Sequence, residues 1–100
     1  KYSNVIETKS FQELSYSLEQ NYPNPFNPGT IIKFQLPQDG FVSLKVYDIL
    51  GNEITTLVNE EKPKGSYEVK FDAGSLANGV YIYKIQAGDF VSSEKMILLK

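Results

Sequence analysis

Strict alternation of apolar and polar side chains returns three times along this chain. Ile32, Phe34 and Leu36 alternate with Lys33 and Gln35; Val42, Leu44 and Val46 alternate with Ser43 and Lys45; Tyr67, Val69 and Phe71 alternate with Glu68 and Lys70. A period of two places every second side chain on one face of a pleated strand, so each segment reads as a half-buried β-strand. Turn chemistry separates them: Pro37-Gln38-Asp39-Gly40, Asp48 to Asn52 with Gly51, and the charged stretch Asn59 to Gly65 with Pro63.

The remaining segments extend this pattern. Val80 to Ala87 is apolar on both faces, with Tyr81, Tyr83 and Ile85 on one and Val80 and Ile82 on the other, which predicts a central strand. Gly88-Asp89 predicts a two-residue hairpin turn into a last strand, Phe90 to Leu99. Glu53 to Val58 is a further strand; Ile54 and Leu57 differ in parity, which predicts a bulge or a change of face. Asp72 or Ser75 is expected to cap a single helical turn ending at Gly79. The sum is an all-β chain of about seven short antiparallel strands, an immunoglobulin or fibronectin type III-like β-sandwich. Its expected core is Ile32, Phe34, Leu44, Val46, Val69, Phe71, Tyr81, Tyr83, Ile85 and Met96 or Ile97.

Three of the five prolines, Pro23, Pro25 and Pro28, fall between Gln20 and Thr30. Proline lacks an amide hydrogen and pushes the residue before it toward extended geometry, so no helix forms there. The segment Tyr22-Pro23-Asn24-Pro25-Phe26-Asn27-Pro28 carries two aromatics that a plain spacer would not need; both are expected to pack under the first strand. Before it, Lys1 to about Glu19 is weakly patterned and reads as a linker with a short strand or turn near Leu18. The chain begins at Lys1 without a leader pattern, and is expected to be a piece of a longer protein.

Composition narrows the chemistry. With 100 residues the chain has room for one core. Cysteine and histidine are both absent, so disulfides, thiolate metal sites and histidine-based catalysis are excluded. Glu53, Glu60, Glu61, Glu68, Asp72, Asp89 and Glu94 fall in turns or on polar strand faces, where they read as solvated surface rather than a glycosidase pair. Asn24, Asn27 and Asp39, or Asp48 and Asn52, could supply oxygens to calcium, but there is no EF-hand or repeated acidic loop, and turn hydrogen bonding accounts better for Asp48 before Gly51-Asn52. No enzyme, cofactor or metal is expected. A formal net charge of -2 and the lack of a basic run give no reason to expect nucleic acid, and no apolar run is long enough to span a bilayer.

Four stretches in order carry a family resemblance: Asn21-Tyr-Pro-Asn-Pro-Phe-Asn-Pro-Gly-Thr30; Val46-Tyr-Asp-Ile-Leu-Gly51 with Glu53; Phe71-Asp-Ala with Leu76-Ala-Asn-Gly-Val-Tyr81; and Lys95-Met-Ile-Leu-Leu-Lys100. The chain resembles the C-terminal sorting domain of type IX (Por) secretion cargo. The resemblance implies a non-catalytic immunoglobulin-like address tag on secreted proteins of Bacteroidetes-type Gram-negative bacteria. Such a tag is read by an outer-membrane translocon and commonly removed by a sortase-like peptidase. It places the linker from an upstream cargo domain at 1–18, the sorting domain at 19–100, and the protein at the cell surface or outside, by way of the periplasm and outer membrane. The recognised residues it implies are Gly79, Val80, Tyr81, Lys95, Met96 and Lys100, while Tyr22 to Pro28 serve structure. The terminal strand is expected to pair with a receptor edge by strand addition. The other reading is a carbohydrate-binding or spacer module of a polysaccharide-degrading enzyme, which would present exposed tyrosines.

Overall fold

The alternating segments all become strands. The computed structural model describes residues 14–100. In chain order the strands are β1 (Ser17–Leu18), β2 (Gly29–Leu36), β3 (Gly40–Asp48), β4 (Glu53–Lys62), β5 (Gly65–Asp72), β6 (Gly79–Ala87) and β7 (Phe90–Leu98). They form two antiparallel sheets, β1-β2-β5 and β4-β3-β6-β7, packed as an immunoglobulin-like sandwich.

Tyr83, Phe26, Phe34, Ile32, Leu36, Leu44, Ile85, Met96 and Leu98 are fully buried between the sheets. Each such side chain contributes about 1.5–3 kcal/mol relative to exposure. The expected core is present with one exception, Val69, which is only half-buried because β5 is an edge strand; of the last pair Met96 is inside while Ile97 faces out. Leu18, Phe26, Leu36, Val42, Val58, Ala73, Ala87 and Leu98 complete the core.

The parity mismatch in β4 resolves as a double irregularity. Along β3 the register skips Leu57 between Leu44 and Lys45, and skips Ile54 between Val46 and Tyr47. The strand also runs on to Lys62 where the sequence pattern predicts a loop. Asn59 to Lys62 lie on a sheet edge, where the successive residues Asn59, Glu60 and Glu61 are all exposed and no alternation is needed. The expected helical turn is absent: Asp72 to Gly79 holds a plain turn. The Asp72 carboxylate accepts from Gly74 N at 2.9 Å, and one bond from Leu76 N to Ala73 O at 3.0 Å closes it. Asp72 thus makes an Asx turn in place of a cap. Most of the expected linker lies outside the described residues; at its end, Ser17 and Leu18 pair with Gln35 and Phe34 of β2.

Candidate functional site

β6 and β7 form a hairpin around Gly88-Asp89, where Gly88 takes φ of 60°. The register brings together most of the residues singled out from sequence. Gly79 faces Leu98, Val80 faces Ile97, Tyr81 faces Met96 and Ile82 faces Lys95. Pleating then divides them. Tyr81 and Met96 point into the core, and the Tyr81 hydroxyl donates to Ala77 O at 2.7 Å. Val80 and Lys95 stand on the opposite, solvent face of the large sheet, beside Ile82 and Ile97. Lys100 lies just past β7; its amide donates to Asn78 Oδ1 at 2.9 Å and its Nζ to Gly74 O at 3.0 Å. This tail is therefore stapled to the loop before β6.

The neighbouring strand enlarges that face. Tyr47 of β3 sits opposite Ile82, and the Lys84 ammonium lies 5.6 Å from the Tyr47 ring centroid, within cation–π reach. Lys45 is paired with Glu53 at 3.4 Å, whereas neither Lys84 nor Lys95 forms an ion pair among the described residues. The result is an apolar centre of Tyr47, Val80, Ile82 and Ile97 bordered by the Lys84 and Lys95 ammonium groups, on a chain that is acidic overall. The sequence pattern places Val80 and Ile82 on one face of β6, and the register across three strands joins them to Tyr47 and Ile97.

The proline-rich segment locks onto the other side of β7. Phe26 N donates to Ile97 O at 2.9 Å and Leu99 N donates to Phe26 O at 3.0 Å. Asn24 Oδ1 accepts from Ile97 N at 2.9 Å, and Gln20 Nε2 donates to Lys95 O at 2.7 Å. Four bonds thus occupy the edge of β7 from Lys95 to Leu99. Strand addition there, expected from sequence, is blocked by the chain's own preceding segment. Phe26 is buried against Phe71, with ring centroids 6.1 Å apart. Tyr22 is the exception to the expected packing: its backbone pairs with Ile31, but its ring is 81% exposed. Asn21 is buried and donates to Pro23 O at 3.1 Å and Thr30 Oγ1 at 3.0 Å; Thr30 Oγ1 donates to the same carbonyl at 2.9 Å. Asn27 is exposed, Pro28 O accepts from Ala73 N at 2.9 Å, and the peptide bonds before Pro23 and Pro25 are cis.

Of the oxygens weighed for calcium, those of Asp48 are engaged in turn bonding. Asp48 Oδ1 accepts from Leu50 N and Asn52 N, both at 2.9 Å, and Oδ2 from the Asn52 amide at 3.1 Å. The backbone and side-chain donors of Asn52 hold this carboxyl below its usual range. Asp39 Oδ1 accepts from Lys64 N at 2.9 Å. Among the described residues no cluster of three or more acidic or other ligating side chains forms. Burial pushes the Tyr83 phenol well above its ordinary value, and its hydroxyl donates to Glu19 O.

The model of the secretion system C-terminal sorting domain family matches residues 20–99. The chain belongs to this family. It is a sorting domain of type IX secretion, and such domains mark proteins for export to the cell surface or beyond in Bacteroidetes-type bacteria; as a family they are in general non-catalytic. No curated protein matches the sequence. Among solved structures, the sorting domain is similar to part of dimeric latent PorU from Porphyromonas gingivalis, with a TM-score of 0.64 and 19% identity over 85% of this chain and 9% of that one. It is also similar to part of PorZ, an essential bacterial surface component of the type-IX secretion system of the same organism. There the TM-score is 0.56 and the identity 20%, over 86% of this chain and 12% of that one. The sorting domain spans about a tenth of each of these proteins, and at such identities they share its fold.

Proposed function

We propose that the outer face of the large sheet is what the type IX translocon reads, with Val80, Ile82, Lys95 and Ile97 as contact residues. Gly79, Tyr81, Met96 and Lys100 act by holding that face in place. The observation that carries this reading is the bonded edge of β7: between Lys95 and Leu99, already paired to Gln20, Asn24 and Phe26, the strand can offer a receptor its side chains but not its backbone. Aliphatic side chains beside two ammonium groups that form no ion pair among the described residues suit a partner surface with apolar and acidic residues.

On this reading the domain is an address and a substrate, not an enzyme. It follows a linker within residues 1–18, joins an upstream cargo domain, and yields that cargo at the surface after a sortase-like peptidase has acted. The glycan-binding alternative needs a flat row of exposed aromatics. The largely exposed aromatic rings among the described residues, Tyr22 and Phe41, sit at opposite ends of the sandwich.

The test is export of a periplasm-directed reporter fused ahead of residues 1–100, in a host with this secretion system. Ile82→Glu and Lys95→Glu, which alter the outer face without touching the core, are expected to retain the reporter in the periplasm. Ser66→Glu on the other sheet is the control. Undiminished export of the Ile82→Glu and Lys95→Glu fusions would remove the outer face as the site of recognition.

A further inference from the structure

The bonds of β2 determine what the far edge of the small sheet presents. Ala73 N donates to Pro28 O, while Glu19 N and Tyr22 N donate to Lys33 O and Ile31 O. The odd residues of β2 therefore bond toward β1 and its even residues toward β5. In the β2–β5 register those even residues face Phe71, Val69 and Tyr67. It follows from antiparallel geometry that Ser66, Glu68, Lys70 and Asp72 turn their amide and carbonyl groups to the open side. No described residue pairs with that side. The side chains of these four residues are exposed, while Tyr67 and Val69 are half-buried along a groove of about 370 Å³ shared with Leu57 and Val58 of β4.

Charges on an edge strand ordinarily discourage pairing. Here their alternation in sign makes the strand complementary to itself in one antiparallel register. Centred on Val69, Glu68 lies opposite Lys70 of the second copy, Lys70 opposite Glu68 of the second copy, and Ser66 opposite Asp72 of the second copy. All of these are rungs at which both backbones present their free groups, so hydrogen bonding and charge agree. Centring on Glu68 opposes two carboxylates, and centring on Lys70 opposes two ammonium groups. Centring on Phe71 keeps Lys70 against Asp72 but runs off the end of β5 after three rungs.

We propose that the edge of β5 is a self-association site, at which a second copy of this chain adds its own β5 antiparallel across a two-fold axis at Val69. The contact is isologous and closes at two copies. It lies on the small sheet, away from the outer face of the large sheet, and does not depend on the recognition proposed above. Opposite charges facing each other across strands stabilise the pair, and like charges oppose it.

Sedimentation velocity of the whole chain over a concentration series tests this. A reversible dimer is expected. Glu68→Lys or Lys70→Glu alone places like charges at two rungs and weakens the dimer by on the order of tenfold. The double variant Glu68→Lys/Lys70→Glu restores the alternation and returns affinity to near that of the original chain. The single variants, checked for folding by circular dichroism, remain sandwiches, since both positions are solvent-exposed. In a chain without cysteine, Val69→Cys is expected to form a disulfide-linked dimer on oxidation faster than Ser93→Cys, because directly opposed non-hydrogen-bonded residues lie about 4.5 Å apart at Cα. A chain that stays monomeric into the millimolar range overturns the proposal. So does a dimer indifferent to the single charge reversals, or one that the double reversal fails to restore.

Discussion

Replacing Phe26 by alanine separates the two aromatics of the proline-rich segment. Phe26 is 1% exposed and packs on Phe71, with its own backbone bonded to Ile97 and Leu99. A buried phenylalanine removes roughly 200 Å² from water, worth about 5 kcal/mol at about 25 cal/mol per Å² as an upper figure. Measured Phe→Ala changes in cores cost about 3–5 kcal/mol, which agrees. Domains of this size have about 5–15 kcal/mol in total, so Phe26→Ala is expected to consume a large fraction of the stability. At about 4–8 °C per kcal/mol, the melting midpoint drops by roughly 12–40 °C. Tyr22→Ala, four residues earlier with an exposed ring, stays within about 0.5 kcal/mol. Urea unfolding followed by far-UV circular dichroism measures both, since the chain has no tryptophan to report by fluorescence. A Phe26→Ala cost below about 1 kcal/mol, or equal effects of the two substitutions, would refute the claim that this segment is part of the core.

Asn21→Ala is expected to cost about 1–3 kcal/mol in the same assay, because it deprives the buried Thr30 hydroxyl and Pro23 carbonyl of a partner; a neutral result would mean that these groups find others. Asp48 gives a pH signature. Its carboxyl is lowered in the folded state, so the stabilisation it adds is present above about pH 4 and is lost as pH falls through its depressed value. Thermal midpoints from pH 6 to pH 2 should therefore fall less steeply for Asp48→Asn than for the original chain, and parallel curves would remove Asp48 as a contributor.

How far the sequence could be read depended on whether each residue's environment was local. The strands β2, β3, β5 and β6 were legible because one buried face imposes a period of two on any such strand, whatever it packs against. The irregularity of β4 was legible for the same reason, as Ile54 and Leu57 could not share a face without one. The last four residues of β4 were not, because a solvated edge imposes no pattern. Nor could parity assign Met96 or Ile97 to the core, since both are apolar and only the pairing with Tyr81 and Val80 separates them.

The candidate site divides in the same way. Its residue types and the family motifs that carry them are properties of the sequence alone, as are the all-β class and the exclusion of histidine and cysteine chemistry. Tertiary structure decided that Tyr22 stays outside while Phe26 goes in, and that Tyr81 and Met96 support a surface formed by their neighbours. It also decided that the edge of the C-terminal strand from Lys95 to Leu99 is already occupied. The bonds that occupy it join Gln20, Asn24 and Phe26 to residues more than seventy positions away, and no local pattern encodes a pairing of that range.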